Sequence, residues 1–211
     1  MRKVASSFAV ALFAIAISVS SIGIASADMG AYVGVFGGYT FSPDSSWKND
    51  NTGSELDVDI QEAWAVGVKF GYIPPQWKYF SFELEYFYSN PDVDRTVSGS
   101  SAIEGDIKFH SFLYNVAVRY PEGRFHPYLG AGLGFSYADA SVQTTSPSGS
   151  ANTSENDTAF AWQILAGVDI DLTNNWTADI GYRYFYTEPK LGNISVEYKT
   201  SMVTLGLKYR F

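Results

Sequence analysis

The stretch Thr200-Ser201-Met202-Val203-Thr204-Leu205-Gly206-Leu207-Lys208-Tyr209-Arg210-Phe211 decides how this chain folds. In an extended strand successive side chains point to opposite faces. One face then carries Ser201, Val203, Leu205, Leu207, Tyr209 and Phe211, and the other Met202, Thr204, Gly206, Lys208 and Arg210. An apolar face backed by a basic one, closing on an aromatic, fits a membrane barrel whose apolar side meets lipid and whose polar side meets the lumen. An edge strand of a soluble sandwich alternates too, so the other segments have to decide.

Seven further segments carry the same period of two. Residues 31–41 are Gly-rich, with Ala31, Val33, Val35, Tyr39 and Phe41 on one side. Residues 61–73 set Trp64, Val66, Val68, Phe70 and Tyr72 against Ala65, Gly67, Lys69 and Gly71, and a soluble core rarely places a lysine there. Residues 79–88 set Phe82, Leu84 and Tyr86 against Glu83, Glu85 and Phe87, and residues 109–120 set Phe112, Tyr114, Val116 and Tyr120 against Ser111, Asn115 and Arg119. In residues 125–137 the polar side holds Tyr128, Gly130, Gly132 and Gly134, glycines that leave room for a bulky neighbour. Residues 159–172 oppose Trp162, Ile164 and Val168 to Gln163, Asp169 and Asp171, and residues 176–186 oppose Trp176, Ile180, Tyr184 and Tyr186 to Asp179, Arg183 and Phe185. With the last strand the count is eight, an even number that brings both chain ends to one side.

The connections sort by length. Pro74-Pro75-Gln76-Trp77-Lys78, Pro121-Glu122-Gly123-Arg124 and Thr173-Asn174-Asn175 are tight turns, while residues 42–59, 89–106, 138–157 and 187–198 are long and polar. Short turns at one end and long loops at the other are the order of an outer-membrane barrel. The expected fold is an all-β, eight-stranded, antiparallel up-and-down transmembrane barrel.

Export is expected as well. Arg2 and Lys3 precede an apolar run over residues 4–19, and Ala25-Ser26-Ala27 has the small-x-small form of a signal-peptidase site, so residues 1–27 read as a cleaved signal peptide and residues 28–211 as the barrel. Removing Arg2 and Lys3 from 14 basic residues leaves 12 against 22 acidic ones, a formal charge of −10. That charge makes nucleic acid a poor partner. The chain has no cysteine, so disulfides contribute nothing to its stability, and a closed hydrogen-bonded barrel takes their place.

The segments Ala31-Tyr32-Val33-Gly34-Val35-Phe36-Gly37-Gly38-Tyr39, Phe82-Glu83-Leu84-Glu85-Tyr86, Pro127-Tyr128-Leu129-Gly130-Ala131-Gly132-Leu133-Gly134 and Gly206-Leu207-Lys208-Tyr209-Arg210-Phe211 resemble the eight-stranded outer-membrane barrels of the OmpA and opacity-protein type. The resemblance implies insertion in the outer membrane of a Gram-negative-type cell, among its lipids and lipopolysaccharide. It also implies delivery by the barrel-assembly machinery, with Phe211 as part of the signal. The chain ends without the peptidoglycan-binding domain of longer OmpA-type proteins, so cell-wall anchoring is not expected.

With the apolar faces outward, the lumen would hold Lys69, Arg119, Arg183, Lys208 and Arg210 with Glu83, Glu85, Asp169, Asp171 and Asp179. An eight-stranded lumen is just wide enough for side chains to fill it, so these groups are expected to form an ionic network. The competing expectation is a narrow polar pore for small solutes in which Arg183 and Glu85 exchange partners. Outside, Trp64, Trp162, Tyr86, Tyr184 and Tyr186 are expected near one membrane boundary, and Tyr72, Tyr120, Trp176 and Tyr209 near the other.

No catalytic constellation emerges. His110 and Ser111 are adjacent in a strand and so face opposite ways, and His126 falls at the periplasmic rim. The acidic run over residues 50–59 lacks the spacing of a calcium loop, and no residue pattern requires a metal or cofactor. Function is therefore expected in the outside loops, notably residues 144–157. They would be mobile and serve envelope integrity and the recognition of host or other surface ligands.

Overall fold

The computed structural model describes residues 30–49, 55–57, 62–98, 101–146, 149–191 and 194–211. Eleven strands form one antiparallel sheet: β1 (Ala31–Asn49), β2 (Glu55–Asp57), β3 (Trp64–Tyr72), β4 (Phe80–Ser89), β5 (Asp92–Ser98), β6 (Ser101–Arg119), β7 (Phe125–Ser146), β8 (Gly149–Asp171), β9 (Trp176–Thr187), β10 (Lys190–Leu191) and β11 (Ile194–Arg210). Eight of them, β1, β3, β4, β6, β7, β8, β9 and β11, pair in sequence order, and β11 pairs back onto β1 to close a barrel. The short β2, β5 and β10 add to β1, β6 and β11 at the long-connection end. Closure of the eight leaves no open edge among the described residues of the spanning wall, which is what a sheet in hydrocarbon requires.

The wall is inverted relative to a soluble protein. Leu84, Leu133 and Leu205 face outward with 60, 60 and 64% of their surface exposed, whereas Glu85, Ser111, Gln163 and Arg183 are buried inside. An apolar surface of this extent, continuous with Phe70, Phe112, Phe135, Phe160 and Ile180, is far larger than a soluble monomer tolerates and matches a lipid-facing band.

Several strands run further than their alternation predicts. β6 starts at Ser101 rather than 109, β7 continues to Ser146 rather than 137, β8 starts at Gly149 rather than 159, and β1 continues to Asn49. The ladder of β7 with β8 therefore persists from Phe135↔Phe160 out to Ser146↔Gly149, through much of the stretch expected to be a mobile loop. Outside the membrane a hairpin needs backbone pairing but no apolar face, so its polar sequence carries no period to read. The β1–β11 register shifts between Phe41 and Asp44, at Pro43, whose missing N–H cannot serve the ladder. At the other end Gly123 sits at φ 81° in the turn from β6 to β7, a conformation that favours glycine. Residues 1–29, which include the expected signal peptide, lie outside the described residues, as does most of the acidic run over residues 50–59.

Cross-strand glycines make room for the bulky interior side chains. Tyr32 and Phe36 on β1 stand opposite Gly71 and Gly67 on β3, and a Cβ on either glycine would collide with those rings. Tyr128 stands opposite Gly167 in the same way, and Asn115 opposite Gly132. At Gly130 and Gly134 it is the neighbouring strand itself, at residues 112–117, that comes close.

Candidate functional site

The lumen is filled in layers. Towards the short-turn end lies an ionic layer built from β3, β4, β8, β9 and β11, each supplying residues from its inward-facing set. Lys208 Nζ stands 2.8 Å from both Asp169 and Asp179 and 3.5 Å from Glu83, between the rings of Tyr32 and Tyr128 at 5.3 Å each. Lys69 Nζ lies 3.5 Å from Asp179, 3.9 Å from Glu83 and 4.0 Å from Glu85. Arg183 pairs with Glu85 and reaches Gln163 Oε1 at 3.3 Å, and the Gln163 amide donates to Glu85 at 3.1 Å and Asn115 at 2.8 Å. The Tyr32 hydroxyl donates to Glu83. Removed from water, each of these charges needs an opposite one, because an unpaired buried charge costs several kcal/mol.

Arg119 is placed differently. It is buried, but its Nε and Nη2 find no hydrogen-bond partner among the described residues. It lines a cavity of ≈ 10 Å³ with Ser81, Glu83, Tyr128, Asp169 and Lys208, enough for about one water molecule. Asp171 and Arg210 lie apart from the layer, at the short-turn mouth, where they pair with each other. Thr177 donates to Asp171 at 2.9 Å, and Arg210 also donates to the Thr177 hydroxyl at 2.8 Å. His126 joins this mouth cluster, its Nε2 3.0 Å from Asp171 and its Nδ1 2.9 Å from the Tyr120 carbonyl. Both partners offer oxygen acceptors to the ring. Beside the mouth the Tyr120 hydroxyl donates to Glu122 at 3.3 Å, and that carboxylate's charge raises the phenol above its ordinary pKa.

Towards the other end large aromatic side chains fill the lumen. Phe87, Phe109, Phe185, Tyr198 and Met202 are at most 1% exposed. Phe109 stacks on Tyr198 at 4.6 Å, Phe185 meets Phe87 edge-on at 5.1 Å, and Phe36 joins the two layers by taking the Arg183 guanidinium over its ring at 4.5 Å. Alternation alone puts Phe87 and Phe185 on the inner side but does not reveal this plug. Its signal is that inward-phase positions turn from charged to aromatic along β4, β6, β9 and β11.

On the outer wall Trp64 is 74% exposed and meets Tyr39 at 5.0 Å, while Trp162 packs on Tyr186 and Tyr184 at 5.5 and 5.8 Å. Tyr72, Tyr120, Trp176 and Tyr209 gather at the opposite strand ends, with Trp176 5.0 Å from Tyr209 and Phe211 a further 5.3 Å on. Tyr86 and Tyr184 sit nearer mid-strand than the others. His110 faces outward and bonds the Tyr86 hydroxyl through Nδ1 at 2.9 Å, whereas Ser111 faces inward and bonds Ser136 at 2.9 Å, so the two form no catalytic pair. Among the described residues no group of three His, Cys, Asp or Glu side chains is placed to hold a metal ion.

A closed antiparallel barrel with a lipid-type exterior and a charged interior defines an integral β-barrel membrane protein. The chain belongs to the outer membrane protein beta-barrel domain family, whose model matches residues 7–211, and it is a protein of the Gram-negative outer membrane. It is similar to an uncharacterized protein of Brucella suis, 27% identical over an alignment of 157 residues that covers 64% of this chain and 55% of that one. It is also similar to an opacity protein of Neisseria gonorrhoeae, 30% identical over 42% of this chain and 46% of that one. The chain thus spans about half the length of these relatives. Among solved structures, Neisserial surface protein A shares the fold at a TM-score of 0.55 and 20% identity, covering 86% of this chain and 97% of that one.

Proposed function

We propose that the protein is a non-enzymatic surface element of the outer membrane, contributing to envelope structure and meeting adhesive or recognition partners through its outward hairpins. The observation that carries this reading is the filled lumen. An aromatic plug above a paired ionic layer leaves the outward hairpins as the part of the molecule free to meet a partner. In the same reading residues 1–27 are an export signal removed on secretion, and the β11 strand ending at Phe211 is the element read by the assembly machinery. The surrounding ligands are the lipids and lipopolysaccharide of the membrane. The test is to replace residues 138–157 by a short turn. The shortened barrel should still show heat-modifiable gel migration while losing adhesion to cells or coated surfaces, and unchanged adhesion contradicts the role.

A narrow pore for small polar solutes is the second reading. It is favoured by the cavity beside Arg119, whose guanidinium has two nitrogens without hydrogen-bond partners among the described residues. Sustained single-channel conductance from the purified wild-type barrel would support it against the first.

A further inference from the structure

A histidine on the lipid-facing side of a barrel needs a reason, because a polar ring with an unused hydrogen bond is unfavourable against hydrocarbon. His110 occupies such a position, on the outward face of β6 near the long-hairpin end. Its row across the wall is Tyr88↔His110↔Tyr137. The three tyrosine rings around it lie at 5.1 Å (Tyr88), 6.2 Å (Tyr86) and 6.3 Å (Tyr137). The Tyr86 hydroxyl, 2.9 Å from Nδ1, fixes the ring and occupies that nitrogen. Nε2 has no partner among the described residues, and in the tautomer that lets the Tyr86 phenol donate to Nδ1 it is the N–H that can donate to a ligand. One step further out on the same face stands Lys108, which is exposed. Below His110, toward the membrane centre, the next rows are Tyr86↔Phe112↔Phe135 and Leu84↔Tyr114↔Leu133, with Phe112, Phe135 and Leu133 about 60% exposed.

We infer that β4, β6 and β7 together form a site for one phosphorylated lipid of the outer leaflet, its phosphate held by His110 Nε2 and Lys108 Nζ and its acyl chains laid on the apolar rows beneath. The order of the groups along the wall carries the assignment. Cationic and hydrogen-bonding groups stand at the outer boundary, aromatic rings line that boundary, and an uninterrupted apolar strip runs from there to the membrane centre, which is the order of headgroup, interface and tail in a lipid. Asp139 lies opposite Lys108 in register, and no ion pair joins the two described side chains, so the Lys108 ammonium is available to meet the ligand. This inference rests on the outer-membrane reading and assigns a discrete lipid to a place on its surface.

The test uses the full barrel in phosphatidylcholine nanodiscs, titrated with lipid A, with dephosphorylated lipid A, and with inorganic phosphate alone. The imidazole NMR signals report directly, since the chain has two histidines and His126, at the opposite mouth, serves as the reference. The inference predicts that lipid A shifts the His110 signal and leaves His126 in place, while dephosphorylated lipid A and inorganic phosphate at equal concentration shift neither signal. Lipid retained in native mass spectrometry should fall about tenfold in apparent affinity for His110→Phe and for Lys108→Gln, and rise for Asp139→Asn. Equal binding of the phosphorylated and dephosphorylated lipids, or an unchanged affinity in His110→Phe, overturns the site. An equal shift from inorganic phosphate overturns its assignment to a lipid. A chain that never enters nanodiscs and shows no heat-modifiable form fails at an earlier point, in the membrane reading itself.

Discussion

Glu85 is the carboxylate on which the inner half of the lumen depends, because it accepts from Arg183 and Gln163 and lies 4.0 Å from Lys69. Replacing it with Gln leaves the fully enclosed Arg183 without its charge partner, and the expected loss is about 3 kcal/mol in reversible urea unfolding from lipid vesicles. Adding Arg183→Met to Glu85→Gln should recover more than half of that loss, since the penalty lies in the stranded charge. Glycine positions give the complementary steric test. Gly71→Val forces the Tyr32 ring away and should cost about 1–3 kcal/mol, and the same substitution in a Tyr32→Ala background should cost much less. Parity along each strand was enough to assign Lys69, Glu83, Arg183 and Lys208 to the interior. It could not say which cation meets which carboxylate, because that depends on the stagger between strands as far apart in sequence as Glu85 and Arg183, separated by 98 residues. For the same reason parity groups Arg119 with the paired charges, although its Nε and Nη2 have no hydrogen-bond partner among the described residues.

At the scale of the strand, the two faces should respond oppositely to charge. Leu84→Arg and Leu133→Arg, near the middle of the outer face, are expected to destabilise the barrel by about 2–4 kcal/mol, whereas Trp64→Arg at the boundary should cost at most about 1 kcal/mol. Equal costs at all three positions would argue against a hydrocarbon gradient. The terminal strand makes a separate prediction. The Phe211 N–H donates to the Ala31 carbonyl at 3.1 Å, closing the last rung between the chain ends, and removing Phe211 should lower the heat-modifiable fraction in cell membranes several-fold. Strand identity and the three tight turns were legible because alternation and Pro, Gly and Asn chemistry are local. The outward extension of β6, β7 and β8 was not, because a solvated hairpin has no buried face to impose a period.

For the molecule as a whole, closure and an even strand count follow from summing local patterns, but the division of the lumen into ionic and aromatic layers appears only once the strands are staggered around the barrel. If the aromatic layer is the permeability barrier, wild-type protein should be silent in planar bilayers, and Phe87→Ala with Phe185→Ala should open a measurable conductance while preserving heat-modifiable migration. Conductance arising instead from Glu85→Gln alone would move the barrier to the ionic layer.

Because the chain has no cysteine, single nitroxide labels can be introduced one at a time at Leu84, Val116, Leu133 and Leu205 and read in bilayers by electron paramagnetic resonance. All four should collide readily with dissolved oxygen and hardly at all with a water-soluble nickel chelate, the signature of side chains immersed in lipid. Free collision with the chelate, or shielding from both reagents as in a dry protein centre, would contradict a barrel that turns its apolar face to hydrocarbon and encloses its charges.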